Sequence, residues 1–264
     1  MVLHCAVIGN PIVHSLSPII HHSFAEQVNL PLSYNKIQGS DTEFETQVTD
    51  FFAADGKGLN ITLPFKQRAY AMADIRSERC TRAGVANTLW YSENKLHGDN
   101  TDGIGLVRDL SRYVSLSNAR ILILGAGGAT RGIIHPLFVM QPQQLWVANR
   151  RIEPLIKLKS DIPQIQIMEW AQLGGDFDVI INATSAGVLG ETLSLPAELM
   201  QSNPFCYDLM YQLKTATPFI RYVQQLGCPA IDGLGMLVEQ AAESFYLWHK
   251  VKPNTEVVLK QLRC

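Results

Sequence analysis

No two of the chain's cysteines are close neighbours. Cys5, Cys80, Cys206, Cys228 and Cys264 are odd in number, widely spaced and never form C-x-x-C. They read as reduced thiols of a cytoplasmic protein. No apolar run approaches the ~18 residues of a membrane span, and no basic region precedes an apolar stretch at the N-terminus, so neither a membrane segment nor a signal peptide is expected. The seven histidines form no H-E-x-x-H and no Cys/His cluster, so no metal is expected. Net charge is also small, at −2, and the basic residues are scattered rather than striped, which gives no reason to expect nucleic acid as a partner.

What is present is a globular chain. Its 264 residues are 47% hydrophobic and 17% charged, enough for one large domain or two modest ones with a proper core.

The stretch from Arg120 to Arg151 organises the rest. Residues 121–124 form a short apolar run without alternation, which suits a strand buried on both faces of a parallel sheet. Gly125, Ala126, Gly127, Gly128 and Ala129 follow, and a second short strand is expected at 145–148. Glycines let a ligand approach the backbone, and the N–H groups opening the next helix favour an anion such as a pyrophosphate. Thr130 stands where a third glycine is usual, so an ordinary tight turn is the competing reading. The second strand ends in Asn149, Arg150 and Arg151 rather than in an acid that would take ribose hydroxyls. Two guanidiniums suit the 2′-phosphate of NADP. Pro136 is expected to bend the intervening helix.

Further strands are expected at 177–182, 206–209 and 230–231, alternating with helices as in a doubly wound parallel sheet. Ligands in such sheets bind beyond the strands' C-terminal ends. There lie the glycine loop, Asn149–Arg151, Ala183-Thr184-Ser185, Leu209 to Tyr211 and Gly233.

The first hundred residues carry a different set. A strand at 3–8 precedes HSLSP, where Ser17 reads as the N-cap and Pro18 as the first residue of a helix over 18–28. Capping accounts for Ser17 but not for Ser15; two hydroxyls two residues apart also suit a polyol or carboxylate. A strand at 34–37 and a helix over 41–52 capped by Asp41 come next. In the strand at 58–63, Asn60 and Thr62 share a face. Lys66, just past it, opens a helix, where a lysine opposes the dipole and is usually solvated. A hairpin spans 86–91 and 95–97, with Asn87 at its start. Asp102 precedes a helix over 103–113, either as a plain N-cap or as one member of a polar lip with Asp99 and Asn100. A long helix over 236–251 carries Gln240 among apolar neighbours, which by itself reads as a half-exposed amide.

The segments AVIGNPIVHSLSP, GLNITLPFK, AGVANTL, GDNTDGIGL, ILGAGGATRGI, ANRR, INATSAGVLGE, CYDLMYQ and DGLGMLVEQAAESF resemble, in order, those of the shikimate dehydrogenase family. The resemblance implies a two-domain α/β fold: a substrate domain over 1–101, a Rossmann-like NADP domain over 102–236, and C-terminal helices over 237–264 returning to the first. It implies NADPH-dependent reduction of 3-dehydroshikimate to shikimate by a monomer or homodimer. Lys66 and Asp102 would be catalytic. Ser15, Ser17, Thr62, Asn87, Tyr211 and Gln240 would hold the substrate, with Asn60 beside them. Gly125 to Ala129, Asn149 to Arg151, Ala183, Thr184, Leu209 and Gly233 would hold the cofactor.

The family usually reads A-V-N-T where this chain has Val85-Ala86-Asn87-Thr88, and often has Thr where it has Arg151. A dehydrogenase of related fold using quinate or NAD and a catalytically dead NADP sensor are the rival readings; Arg150 and Arg151 argue against NAD, and the sensor would be expected to lose the Lys66/Asp102 pair.

Overall fold

The structure is a computed structural model and describes residues 2–184, 193 and 195–263. Ser185 and Cys264, named above, lie outside the described residues. Two compact units are present: Met1–Gly105 together with Leu237–Cys264, and Leu106–Met236.

The first unit begins with β1 (Leu3–Gly9), α1 (Ser17–Gln27), β2 (Leu32–Gln38), α2 (Phe44–Ala53), β3 (Gly56–Ile61) and α3 (Lys66–Met72). It continues through β4 (Ile75–Arg76), α4 (Glu78–Ala83), β5 (Thr88–Ser92), β6 (Lys95–Asp99) and α5 (Asp102–Leu110). Its sheet runs β2-β1-β3-β5-β6-β4. The sheet is mixed: β1 pairs in parallel with β2 and β3, whereas β5 is antiparallel to β3 and β6. The β5–β6 hairpin turns through Glu93 and Asn94, both left-handed, which matches the twist of the strands it joins.

The second unit contains β7 (Arg120–Leu124), α6 (Gly128–Val139), β8 (Gln144–Asn149), α7 (Ile152–Asp161), β9 (Gln166–Glu169), β10 (Val179–Asn182), β11 (Phe205–Asp208), α8 (Pro218–Gln225) and β12 (Ala230–Asp232). All its pairings are parallel, in the order β12-β11-β10-β7-β8-β9. The chain builds outward from β7 to β9, then returns to β10 and builds the other way. This is the doubly wound arrangement, with its switch point between β7 and β10. The strands read as apolar runs because both faces are covered: Leu106, Ile133 and Leu155 pack on one side, and Phe219, Ile220 and Val223 on the other. The chain passes between units within α5 and returns within α9 (Leu234–His249), which is followed by α10 (Thr255–Arg263).

In the first unit, Ile20, Phe24, Phe245 and Val258 join α1, α9 and α10 into one core, while Phe44 and Phe65 serve the opposite face. Gly58 is required by a close approach: a Cβ there would overlap the Trp248 indole of α9.

Several boundaries differ from expectation. Leu16, not Ser17, is the N-cap of α1, and no side chain caps it. Pro18 still falls in the first turn, where its missing N–H costs nothing. Residues 41–43 form a turn, so α2 opens after Glu43 and Asp41 does not cap it. Asn100 Oδ1, rather than Asp102, accepts the N–H that opens α5. Helix α6 runs through Pro136 to Val139. The short α4 and β4, which have no clear periodicity of their own, were not anticipated.

One buried ion cluster ties α4 and α9 to β6. Arg79 meets both oxygens of Asp99 at 2.7 and 2.8 Å and reaches Glu243 at 3.0 Å. Removing the guanidinium leaves the Asp99 charge buried with fewer partners. Arg79→Met is expected to lower stability by about 3 kcal/mol, toward the low end for a broken buried pair because Arg79 keeps some contact with water. Urea unfolding of the two proteins at neutral pH measures it.

Candidate active site

Helix α3 begins one turn after β3, and that turn places Lys66 at its first position. Lys66 Nζ lies 2.5 Å from Asp102 Oδ2, with side-chain exposures of 18% and 10%. The pair is therefore only partly screened by water, yet still open to a small molecule. The other oxygen, Asp102 Oδ1, accepts from Asn87 Nδ2 at 2.8 Å. Asn87 is buried one residue before β5, and its Nδ2 is also 3.3 Å from Gln240 Oε1. Gln240 Nε2 donates to Leu237 O. A lysine, a carboxylate and two amides from α3, α5, α9 and the residue before β5 thus meet at one place. Gln240 faces Asn87, so the surface-amide reading does not describe it.

Thr101 belongs with these residues, and sequence reasoning passed over it. Its N–H donates to Asn87 Oδ1 at 2.9 Å, and its hydroxyl accepts from Asn87 Nδ2 at 2.9 Å. Its position between Asn100 and Asp102 was the available signal.

Ser15 Oγ donates to Ser17 Oγ at 3.2 Å and accepts the Ser17 N–H at 3.3 Å. With the cap explanation removed, the two hydroxyls form one small polar patch. Thr62, one residue beyond β3, is half-buried, and its hydroxyl makes no hydrogen bond among the described residues. Asn60 shares its face but is spent on protein: Oδ1 accepts from Tyr34 at 2.7 Å, and Nδ2 reaches Asn87 O and Ser244 Oγ.

In the second unit the expected nucleotide residues lie at the C-terminal ends of parallel strands. Gly125 follows β7 at φ +105°, a left-handed value that a side chain resists; an added Cβ would also press on the Ala183 carbonyl at 3.1 Å. Gly127 and Gly128 differ: among the described residues, a Cβ on either would meet no atom within 4 Å. The described residues leave those two positions clear, as approach by a phosphate group requires. Thr130, in place of the third glycine, is buried and donates to Gly125 O at 2.8 Å. It thereby fastens the helix to the turn that a glycine would merely have let it approach.

At the end of β8, Asn149 Nδ2 donates to Arg151 O at 3.0 Å, shaping the turn that carries exposed Arg150 and Arg151. The Arg150 guanidinium stands 5.9 Å from the Trp170 ring centre. Beyond β10, Asn182 Oδ1 takes both the N–H and the hydroxyl of Thr184. The Leu209 N–H donates to Asn182 O, and Gly233 approaches the Leu209 carbonyl too closely for any side chain. Tyr211 lies just past β11, half-buried, and burial pushes its phenol above the ordinary range. Residues able to hold a pyrophosphate and a 2′-phosphate are thus present on adjacent strand ends.

The fold and these residues define a two-domain oxidoreductase that works with a pyridine nucleotide. Residues 7–89 match the shikimate dehydrogenase substrate binding domain, 108–197 the shikimate / quinate 5-dehydrogenase family, and 233–263 the shikimate 5′-dehydrogenase C-terminal domain. The shikimate dehydrogenase (NADP(+)) of Legionella pneumophila strain Lens is 56% identical over 100% of this chain and 99% of its own. Among solved structures, an Ael1 enzyme from Pseudomonas putida is 42% identical, with a TM-score of 0.93 over 99% of this chain and 98% of its own. Shikimate 5-dehydrogenase from Thermus thermophilus, solved with NADP(H) and shikimate, is 30% identical with a TM-score of 0.89 over the same shares. The chain belongs to the shikimate dehydrogenase family.

Asp208, under the Leu209–Tyr211 segment, was not anticipated. Burial pushes its carboxyl up to about 6, against the pull of Thr217, the Met210 N–H and Asn182. A carboxyl raised in the folded state favours folding while it is protonated. Stability of the second unit should therefore fall as pH rises from about 3.8 through about 6, by up to about 3 kcal/mol for a shift of that size. Denaturant unfolding across that window should show the slope, and Asp208→Asn should flatten it.

Proposed function

We infer that the chain is an NADP-dependent shikimate dehydrogenase, reversibly reducing the ring ketone of 3-dehydroshikimate to the hydroxyl of shikimate. The observation that carries this is the Lys66–Asp102 pair joined to Asn87 and Gln240. It lies in a chain whose full-length relatives are named as NADP-dependent shikimate dehydrogenases.

NADPH, when bound, supplies the hydride that reaches the ketone carbon. The protein's task is the proton. Lys66, as an ammonium, donates to the ketone oxygen as it becomes a hydroxyl, a contribution of typically ~10²–10⁴ in rate. Asp102 holds the ammonium in place and accepts from a neighbouring ring hydroxyl. Asn87 and Gln240 bind the remaining hydroxyls. Ser15, Ser17 and Thr62 receive the carboxylate side of the substrate, with Tyr211 as a further contact assigned by resemblance. Asn60 supports these residues from within. A small acid with several hydroxyls calls for this many short polar groups.

On the nucleotide side, the backbone of Gly125, Ala126, Gly127, Gly128 and Ala129 would cradle the pyrophosphate. Asn149, Arg150 and Arg151 would meet the 2′-phosphate, and Ala183, Thr184, Leu209 and Gly233 would line the remainder. Because the Thr184 hydroxyl is already spent on Asn182, Thr184 offers the nucleotide its backbone. Residues 1–101 and 237–264 serve the substrate and 102–236 the cofactor. The enzyme works in the cytoplasm as a monomer or homodimer, without nucleic-acid or membrane partners. Among the described residues no helix is long and apolar enough to cross a membrane.

The description matched by residues 108–197 includes quinate, which makes quinate the second candidate substrate. Turnover of shikimate and quinate with NADP and NAD tests both readings. The fastest reaction should be shikimate with NADP.

Lys66→Ala should lower kcat by at least ~10²-fold with a much smaller change in the shikimate KM. Near-normal turnover would remove Lys66 from proton transfer.

Each charge-assisted bond to the 2′-phosphate is worth ~1.5–3 kcal/mol, so NADP should exceed NAD by at least ~10-fold in kcat/KM. Replacing Arg150 and Arg151 together with Ala should shrink that ratio through the NADP term, and added salt should weaken NADP binding more than NAD binding. Equal efficiency with the two cofactors would overturn the assignment of these arginines.

A further inference from the structure

Behind the Lys66–Asp102 pair lies a buried hydroxyl network that proton transfer does not itself require. Backbone groups define the sense of both amides in it. The Thr101 N–H can only donate, and it lies 2.9 Å from Asn87 Oδ1, so Asn87 Nδ2 points at Asp102. The Asn87 carbonyl can only accept, and it lies 3.1 Å from Asn60 Nδ2, so Asn60 Oδ1 receives the Tyr34 hydroxyl.

Ser244 stands where these connections meet. It is fully buried on α9. Its Oγ lies 2.7 Å from Thr88 Oγ1, 3.0 Å from Asn60 Nδ2, 3.2 Å from Thr101 Oγ1 and 3.1 Å from the Gln240 carbonyl. The Gln240 carbonyl can only accept, so it takes the single Ser244 proton, and Thr88 Oγ1, within reach of both Ser244 Oγ and Asn87 Oδ1, has one proton for either oxygen. One hydroxyl therefore ties α9 to β3, to β5 and to the opening of α5. It does so one helical turn after Gln240, whose Oε1 sits against Asn87 and Thr101.

We propose that Ser244 is a positioning residue that acts through Gln240. It touches neither substrate nor nucleotide; it locks the rotation of the α9 turn that aims the Gln240 amide at shikimate. The proposal rests on the reading of Gln240 as a substrate contact. An ordinary buried serine on a helix bonds only its own i−4 carbonyl. Ser244 has that bond and three more polar partners within hydrogen-bond distance, each a group that touches Asn87 or Gln240.

The test is a double-mutant cycle in steady-state kinetics on the full-length enzyme, with Ser244→Ala, Gln240→Ala and the pair. Gln240→Ala alone checks the underlying reading and should raise the shikimate KM by at least ~10-fold. Ser244→Ala should raise the same KM about fivefold to tenfold, with the NADP KM changed less than about twofold. In the Gln240→Ala background, Ser244→Ala should add less than about twofold, because the group it positions is gone. Equal effects of Ser244→Ala in both backgrounds, or a parallel rise in the NADP KM, would show a general packing role and overturn the proposal. An unchanged shikimate KM in Gln240→Ala would instead defeat the reading of Gln240, and the proposal with it. Should Ser244→Ala fail to fold, Thr88→Val takes its place in the cycle. That variant removes the adjoining hydroxyl at nearly constant volume and carries the same expectations.

Discussion

The side-chain amide of Asn87 is the join on which the polar network around Lys66 and Asp102 depends. Asp102 carries a charge in a place with little water, and such a charge persists only if its oxygens have donors. Lys66 serves one oxygen and Asn87 the other. Asn87 can do so because Thr101 and Thr88 hold its own oxygen. Loss of one member leaves its neighbours buried and unpaired, so the cost of a substitution here spreads beyond the residue changed. The pair is also held from four separate elements, which constrains the Lys66 ammonium far more closely than an exposed helix-opening lysine would be.

The second unit solves a different problem. Its ligand is long and anionic, and the residues proposed to meet it offer backbone N–H groups and open glycines rather than a dense set of side chains. Its buried polar side chains work elsewhere. Asn182 donates to Asp208 at 2.9 Å and organises the segments after β10 and β11. Asp109, fully buried, accepts from Tyr207 at 2.7 Å, and Gly235 leaves room for its carboxylate at the opening of α9. Thr130 shows the same economy: a hydroxyl aimed at Gly125 O replaces the third glycine of the usual turn.

What the sequence determined by itself was set by short-range rules. Apolar runs such as residues 121–124 and 179–182 suit buried parallel strands, and alternation with helices leaves few topologies beside the doubly wound one. Gly125 announces its turn because its left-handed backbone suits glycine, and Gly127 and Gly128 mark positions where a ligand can approach the backbone. The Asn149-Arg150-Arg151 ending carries its charge preference openly. Lys66, Asp102, Asn87 and Gln240 were legible one at a time, each beside a bland alternative, and the motif resemblance joined them.

Tertiary structure alone decided which alternative held. Capping was the competing explanation for Ser17 and Asp102, and it failed for both because Leu16 and Asn100 take those places. Which atom caps a helix depends on how the preceding turn is held, and distant packing sets that. The roles of Thr88, Thr101 and Ser244 could not be read at all. A buried hydroxyl has no sequence signature, since its partners lie up to 184 residues away along the chain. The elevated carboxyl of Asp208 likewise follows from burial beneath strands that a local window never sees together. Local propensity and spacing name candidates; only the folded chain brings their partners within the roughly 3 Å over which hydrogen bonds act.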